Sequence, residues 1–252
     1  MAPEPELEIH ADEATLAGAV AARCLAALAA AQAEKGRAVL ALTAGSVMQA
    51  VWQALATSPD RDTVSWAGVD VFWADERFVP ADSGDRNDGP ANRILFDRPP
   101  FFEARQFPAP ASDGDQPDLD AAALAYSAEL AAAVRPSDGD TAVPAFDVVL
   151  LGLGPDGHCA SLFPHHPGTM DESHPVIAVR NSPKPPPERL SFSFDTLNAA
   201  EEIWFVASGT GKADAVGWAH SETDRTKIPS SGVKGRRRTV WFLDQDAAAK
   251  LP

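Results

Sequence analysis

The sequence predicts an α/β fold: a doubly wound, mostly parallel sheet with helices on both faces, forming a single domain over residues 1–252. Three observations predict it. Short apolar runs at Ala38–Leu42, 69–74, 146–151 and 203–207 lack inside–outside alternation, as expected of strands covered on both faces. Helical patterns separate these runs, and that alternation implies parallel neighbours joined by crossover helices. A length of 252 residues with 45% apolar content suits one core of that size.

Each element has its own local reason. Residues 12–33 are alanine-rich, with Leu16, Val20, Cys24 and Leu28 at four-residue spacing, which predicts a long helix ended by Gly36. Ala38–Leu42 is a buried strand. Thr43, Ala44, Gly45 and Ser46 then turn into a helix over 47–55, with Ser46 as its expected N-cap. Residues 69–74 form the next strand, followed by a polar loop of Asp, Arg and Gly and a helical stretch over 90–96. An exposed loop over 108–118 leads to a helix over 119–134, a second loop over 137–144 and the strand from Phe146. In the second half, Val176–Val179 is a strand and the prolines of 183–187 predict a stiff, extended loop. Residues 189–194 alternate and read as a half-exposed strand. Strand 203–207, the glycine turn 208–211, a helix over 212–220, a strand over 239–243 and a closing helix over 246–251 complete the chain.

The charge balance narrows the partners. With 36 acidic against 21 basic residues, the formal net charge is −15. Nucleic acids and anionic membranes need a basic face, so neither is an expected partner. A small anionic substrate needs only a few cations gathered in one cleft. The cluster of Lys234, Arg236, Arg237 and Arg238 reads as a solvated, salt-bridging loop. Cys24 and Cys159 form no disulfide framework and read as packing residues. No run approaches the ~18 consecutive apolar residues of a membrane span. The acidic N-terminus lacks the basic start of a signal peptide, so a cytoplasmic setting is expected. The protein is expected to be a monomer or a small homo-oligomer.

Four segments placed after strands bring chemistry to one edge of such a sheet, where α/β proteins bind ligands. Gly152, Gly154, Asp156, Gly157 and His158 form a glycine-shaped turn that presents an imidazole beside a carboxylate, a pair suited to general acid–base work. Gly45 and Ser46 open a helix whose N-terminus favours an anion. Asp75 could orient substrate hydroxyls, and Arg77 could clamp a phosphate through paired hydrogen bonds. Lys184, Arg189 and Lys212 are cations at positions a strongly acidic chain would otherwise fill differently. His165 and His166 are adjacent and share no face, and no Cys-x-x-Cys or His-Glu-x-x-His spacing exists, so no metal site is expected. The Gly152–Gly154 pair lacks the third glycine of a dinucleotide fingerprint.

The segments 73–80, 152–164 and 182–189, in this order, resemble the 6-phosphogluconolactonase family, which shares a superfamily with glucosamine-6-phosphate isomerase/deaminase. The similarity runs from the first helix to the C-terminus. It implies hydrolysis of 6-phospho-D-glucono-1,5-lactone in the oxidative pentose phosphate pathway, a small sugar phosphate lactone as partner, and no cofactor. By the resemblance, His158 matches the general base that activates water and Asp156 the neighbouring carboxylate. Arg77, Lys184, Arg189 and the Ser46 loop match substrate and phosphate contacts. Lys212 matches a phosphate-contacting lysine of the isomerase branch. The chain departs from the family pattern at Ala44, where a glycine is usual. In the isomerase branch a glutamate lies five positions after the motif histidine; here Phe163 stands there, which favours lactone hydrolysis over isomerisation. A non-catalytic phosphosugar-binding module is the reading from a different class.

Overall fold

The computed structural model describes residues 4–139 and 141–252. Seven parallel strands form the central sheet. In chain order these are β1 (Glu6–His10), β2 (Ala38–Leu42), β3 (Val69–Trp73), β5 (Arg105–Phe107), β6 (Val148–Gly152), β9 (Glu202–Ala207) and β10 (Arg238–Asp244), arranged β1-β10-β9-β6-β2-β3-β5. The winding reverses between β6 and β2. From β2 the chain moves outward through β3 to β5, and from β6 it moves the other way through β9 to β10. The carboxyl ends of β6 and β2 therefore border the crevice where such sheets bind ligands.

The apolar runs are explained by a core on each face. Along β2, Ala38, Leu40 and Leu42 point into one core while Val39 and Ala41 point into the other. Val148 and Leu150 alternate in the same way with Val149 and Leu151 on β6. One face is covered by α1 (Glu13–Lys35) and α2 (Ser46–Thr57), the other by α4 (Leu119–Ala133) and α6 (Ala213–Ser221) among others. Asp12 caps α1 by accepting from Thr15 N, and Gly36 closes it at φ 74°.

By length and composition α1 could cross a membrane, contrary to the expectation that no segment approaches such a span. Leu16, Val20, Cys24 and Leu28 are instead fully buried against the sheet, so the apolar stripe serves the core.

A second, three-stranded antiparallel sheet lies beyond the carboxyl end of β3. It consists of β4 (Asp75–Arg77), β8 (Arg189–Phe192) and β7 (Val176–Val179), with β8 central. This sheet corrects two expectations. Residues 75–77 extend as a strand where a polar loop was expected. Residues 189–192 are buried on both sides, because α4 and the main core cover them; 194–198 then form the short helix α5 (Phe194–Asn198). The chain end at 246–251 makes turns only and no closing helix. Gly45, not Ser46, caps α2, and no side chain bonds that end.

Candidate functional site

The turn after β6 closes on itself. Gly154 N donates to His158 O at 2.8 Å, and Gly157 N donates to Gly154 O at 3.0 Å. Gly157 takes φ +83°, and a Cβ there would strike Ile228. Gly154 is required for a different reason. A Cβ on it would lie 2.5 Å from Asp156 Oδ1 and closer still to the His158 ring. Glycine at 154 is thus what lets the imidazole and carboxylate fold back over the main chain, a role the sequence reading did not assign to it.

His158 Nδ1 and Asp156 Oδ1 are 2.5 Å apart. An ionised carboxylate only accepts, so the proton sits on Nδ1 and Nε2 is the lone-pair nitrogen. Nε2 has no partner among the described residues and is not enclosed. Lys184 Nζ reaches the same Asp156 oxygen at 3.5 Å and lies 3.2 Å from Nδ1. Its closeness to Nδ1 follows from the ammonium and the Nδ1–H both donating to one acceptor oxygen. Burial opposes the Asp156 charge, but the hydrogen bond and charge of His158, with Lys184, outweigh it and hold the carboxyl far below the usual range. Phe163 is buried with its ring centroid 4.7 Å from that of His158 and walls one side of the imidazole.

The cations arrive from other elements. Lys212, at the start of α6, donates to Leu153 O at 2.6 Å, which ties the end of β9 to the β6 turn. Burial holds its ammonium below the ordinary lysine value, and Lys184 nearby adds to this while Asp156 opposes it. Thr43 makes the corresponding tie from β2: its hydroxyl donates to Leu150 O and accepts from Gly152 N at 3.0 Å. This seats the 43–46 loop beside the β6 turn. Ser46 is exposed, and the N–H groups of Ser46, Val47 and Met48 have no acceptor among the described residues.

Arg189 is 5% exposed, and its guanidinium is spent on the proline loop. Nε donates to Pro186 O at 2.9 Å, and one terminal nitrogen donates to Lys184 O and Pro185 O at 3.0 Å each. The loop expected to be extended is therefore curled around this guanidinium and closed by Ser182 N donating to Pro187 O. Arg189 also lies 6.0 Å from the centre of the Phe163 ring. Its cross-strand partner is Arg77. Burial lowers the Arg189 value; Asp75 opposes that and Arg77 adds to it. Arg77 donates to Asp85 O, while its buried Nε has no partner.

Asp75 is 6% exposed and turned inward. It accepts from the Ser161 hydroxyl at 2.7 Å and from Asn87 Nδ2 at 3.4 Å. It braces the segment after the His158 turn and does not open on solvent. Of the two aspartates considered, Asp156 is the one on the imidazole.

The glycine N–H groups of this turn are committed and do not serve as oxyanion donors: Gly152, Gly154 and Gly157 each donate within the protein. Cys159 is buried, and burial with Asp75 nearby raises its thiol, so it is no nucleophile. No group of three His, Cys, Asp or Glu able to hold a metal ion occurs among the described residues.

The chain is similar to known proteins along nearly its whole length. Residues 11–241 match the model of the glucosamine-6-phosphate isomerases/6-phosphogluconolactonase family. A 6-phosphogluconolactonase of Streptomyces coelicolor is 44% identical over 253 residues, spanning 100% of this chain and 97% of that one. One from Mycobacterium tuberculosis is 43% identical, spanning 98% of each. The structure of 6-phosphogluconolactonase from Trypanosoma brucei superposes with a TM-score of 0.83 at 28% identity, covering 99% of both chains. The chain belongs to the glucosamine-6-phosphate isomerase/6-phosphogluconolactonase family.

Proposed function

We propose that this protein is a lactone hydrolase that opens 6-phospho-D-glucono-1,5-lactone to 6-phospho-D-gluconate, with His158 as the general base. The full-length similarity to chains named 6-phosphogluconolactonase supports the activity. The observation that carries the base assignment is the His158–Asp156 pair: Nδ1 held at 2.5 Å, Nε2 free, and ammonium groups alongside.

The chemistry follows. A water held by Nε2 attacks the lactone carbonyl as Nε2 takes its proton, and Asp156 stabilises the imidazolium that forms. Negative charge develops on the carbonyl oxygen. With the glycine N–H groups committed, the ammonium groups of Lys184 and Lys212 are the donors for it. When the intermediate collapses, the ring carbon–oxygen bond breaks and the imidazolium returns the proton to the departing hydroxyl. Arg77 and the open α2 N-terminus at Gly45 and Ser46 hold the phosphate and so orient the ring. Arg189 and Asp75 act one step back, shaping the Lys184 loop and the segment carrying Ser161.

The alternative, proton transfer between sugar carbons, needs a second protonatable group facing the imidazole. Phe163 occupies that side instead.

The test is acid release from freshly prepared 6-phosphogluconolactone, with glucosamine 6-phosphate as control. Turnover far above the spontaneous rate is expected with the lactone alone. Ammonia release from the amino sugar phosphate would overturn the assignment.

A further inference from the structure

Glu76 is the most completely buried carboxylate next to the site, at 0% exposure, and it takes no part in the chemistry above. Its oxygens accept three main-chain donors: Arg77 N at 2.7 Å, Asn87 N at 2.7 Å and Asp88 N at 3.1 Å. The Arg86 guanidinium stands 3.7 Å away. One side chain on β4 therefore pins residues 86–88 of a long surface connection against the small sheet.

The pinned segment holds both site residues of β4 in turn. The carbonyl of Asp85, one residue before it, accepts from the Arg77 guanidinium. Asn87 Nδ2 donates to Asp75 O at 2.9 Å and to the Asp75 carboxylate. Arg77 Nε is buried with no partner, so little else fixes that guanidinium.

We propose that Glu76 is the positioning residue for phosphate recognition: by clamping residues 86–88 it aims Arg77 and braces Asp75, without touching substrate. This rests on the reading of Arg77 as a phosphate contact. Glutamine at 76 keeps the shape, but with its oxygen on Arg77 N and Asn87 N its amide NH2 faces the Asp88 N–H and the Arg86 guanidinium, so the clamp opens at residues 86–88.

The experiment compares Glu76→Gln, Arg77→Ala and the double variant with 6-phosphogluconolactone and with unphosphorylated glucono-1,5-lactone. For Glu76→Gln, KM for the phosphorylated lactone should rise about tenfold, below the ~10²-fold that a 1 Å misplacement can cost. Its kcat should stay within about threefold, and the unphosphorylated lactone should be turned over as by wild type. In the Arg77→Ala background the substitution should add no further KM change. An unchanged KM, an equal loss on both lactones, or a full independent effect on top of Arg77→Ala overturns the proposal. An unchanged KM in Arg77→Ala alone overturns the underlying reading instead. Should Glu76→Gln fail to fold, Asn87→Ala removes the next link and leaves the carboxylate in place. It too should raise KM for the phosphorylated lactone selectively, and a wild-type KM there overturns the proposal.

Discussion

Asp156 holds the imidazole of His158 from two residues upstream, at 2.5 Å, and the contact is possible only because residue 154 has no side chain. The pair is thus built within one turn of the chain. Replacing His158 with alanine should lower kcat by roughly 10²–10⁴-fold, the usual worth of general acid–base help, with KM little changed. Asp156→Asn should also cut kcat, because an amide no longer stabilises an imidazolium. Steady-state kinetics with the phosphorylated lactone checks both.

Gly154→Ala separates geometry from chemistry. The added methyl cannot coexist with the present positions of the His158 ring and Asp156. The expected result is a folded protein destabilised by about 1–3 kcal/mol, as for other overpacked sites, with kcat reduced as severely as in His158→Ala. Thermal unfolding and kcat measured on one preparation test this; a near-wild-type kcat would contradict the proposed arrangement.

Arg189→Lys should not be tolerated as a conservative change. One ammonium cannot reproduce a planar guanidinium that reaches three successive carbonyls. The 183–187 loop should loosen and carry Lys184 away from Asp156. Both a raised KM and a lowered kcat are expected, with proteolysis near the prolines as a direct readout of the loop.

Stability should depend on pH through Glu76. Burial pushes its carboxyl up to about 7 against Arg86 and the backbone donors, with Asp88 adding to the rise. Arg189 on β8 and Tyr126 on α4 also interact with it electrostatically, and Asp75 and Arg77 flank it on its own strand. A raised value means the folded state holds the proton more tightly. The contribution is fully present below the unfolded value of 4.5 and is lost as pH rises through about 7. At about 1.4 kcal/mol per pH unit of difference this amounts to at most about 3.5 kcal/mol. Asp156 has the opposite sign: its contribution is present above the unfolded value of 3.8 and is lost as pH falls below it. Urea unfolding of wild type and Glu76→Gln between pH 5 and 8 should show a decline that the variant lacks.

Much of the main sheet was legible because its central strands are buried on both faces and leave unbroken apolar runs in the sequence. Edge and accessory strands leave weaker marks. β1 reads Glu-Leu-Glu-Ile-His, with Leu7 and Ile9 about half exposed, and β5 has only three residues. β4 was hidden for a different reason: three consecutive charges look like a loop, and only the fold reveals that Glu76 and Asp75 are buried with their hydrogen bonds satisfied. The acid–base turn and its neighbouring lysines were visible as residues after strands. That Arg189 spends its donors on a loop, and that Gly154 is there for close approach rather than for φ, depends on contacts between distant segments that spacing does not encode.

Proton transfer and charge recognition are supplied by different pieces of chain. The His158 turn belongs to the main sheet, whereas Arg77 and the Lys184 loop hang from the small antiparallel sheet. Changes confined to β4 and the connection that follows it would therefore retune which acidic group a lactone must carry while leaving the water-activating pair intact. Within this fold, selectivity and reactivity can drift on separate evolutionary clocks.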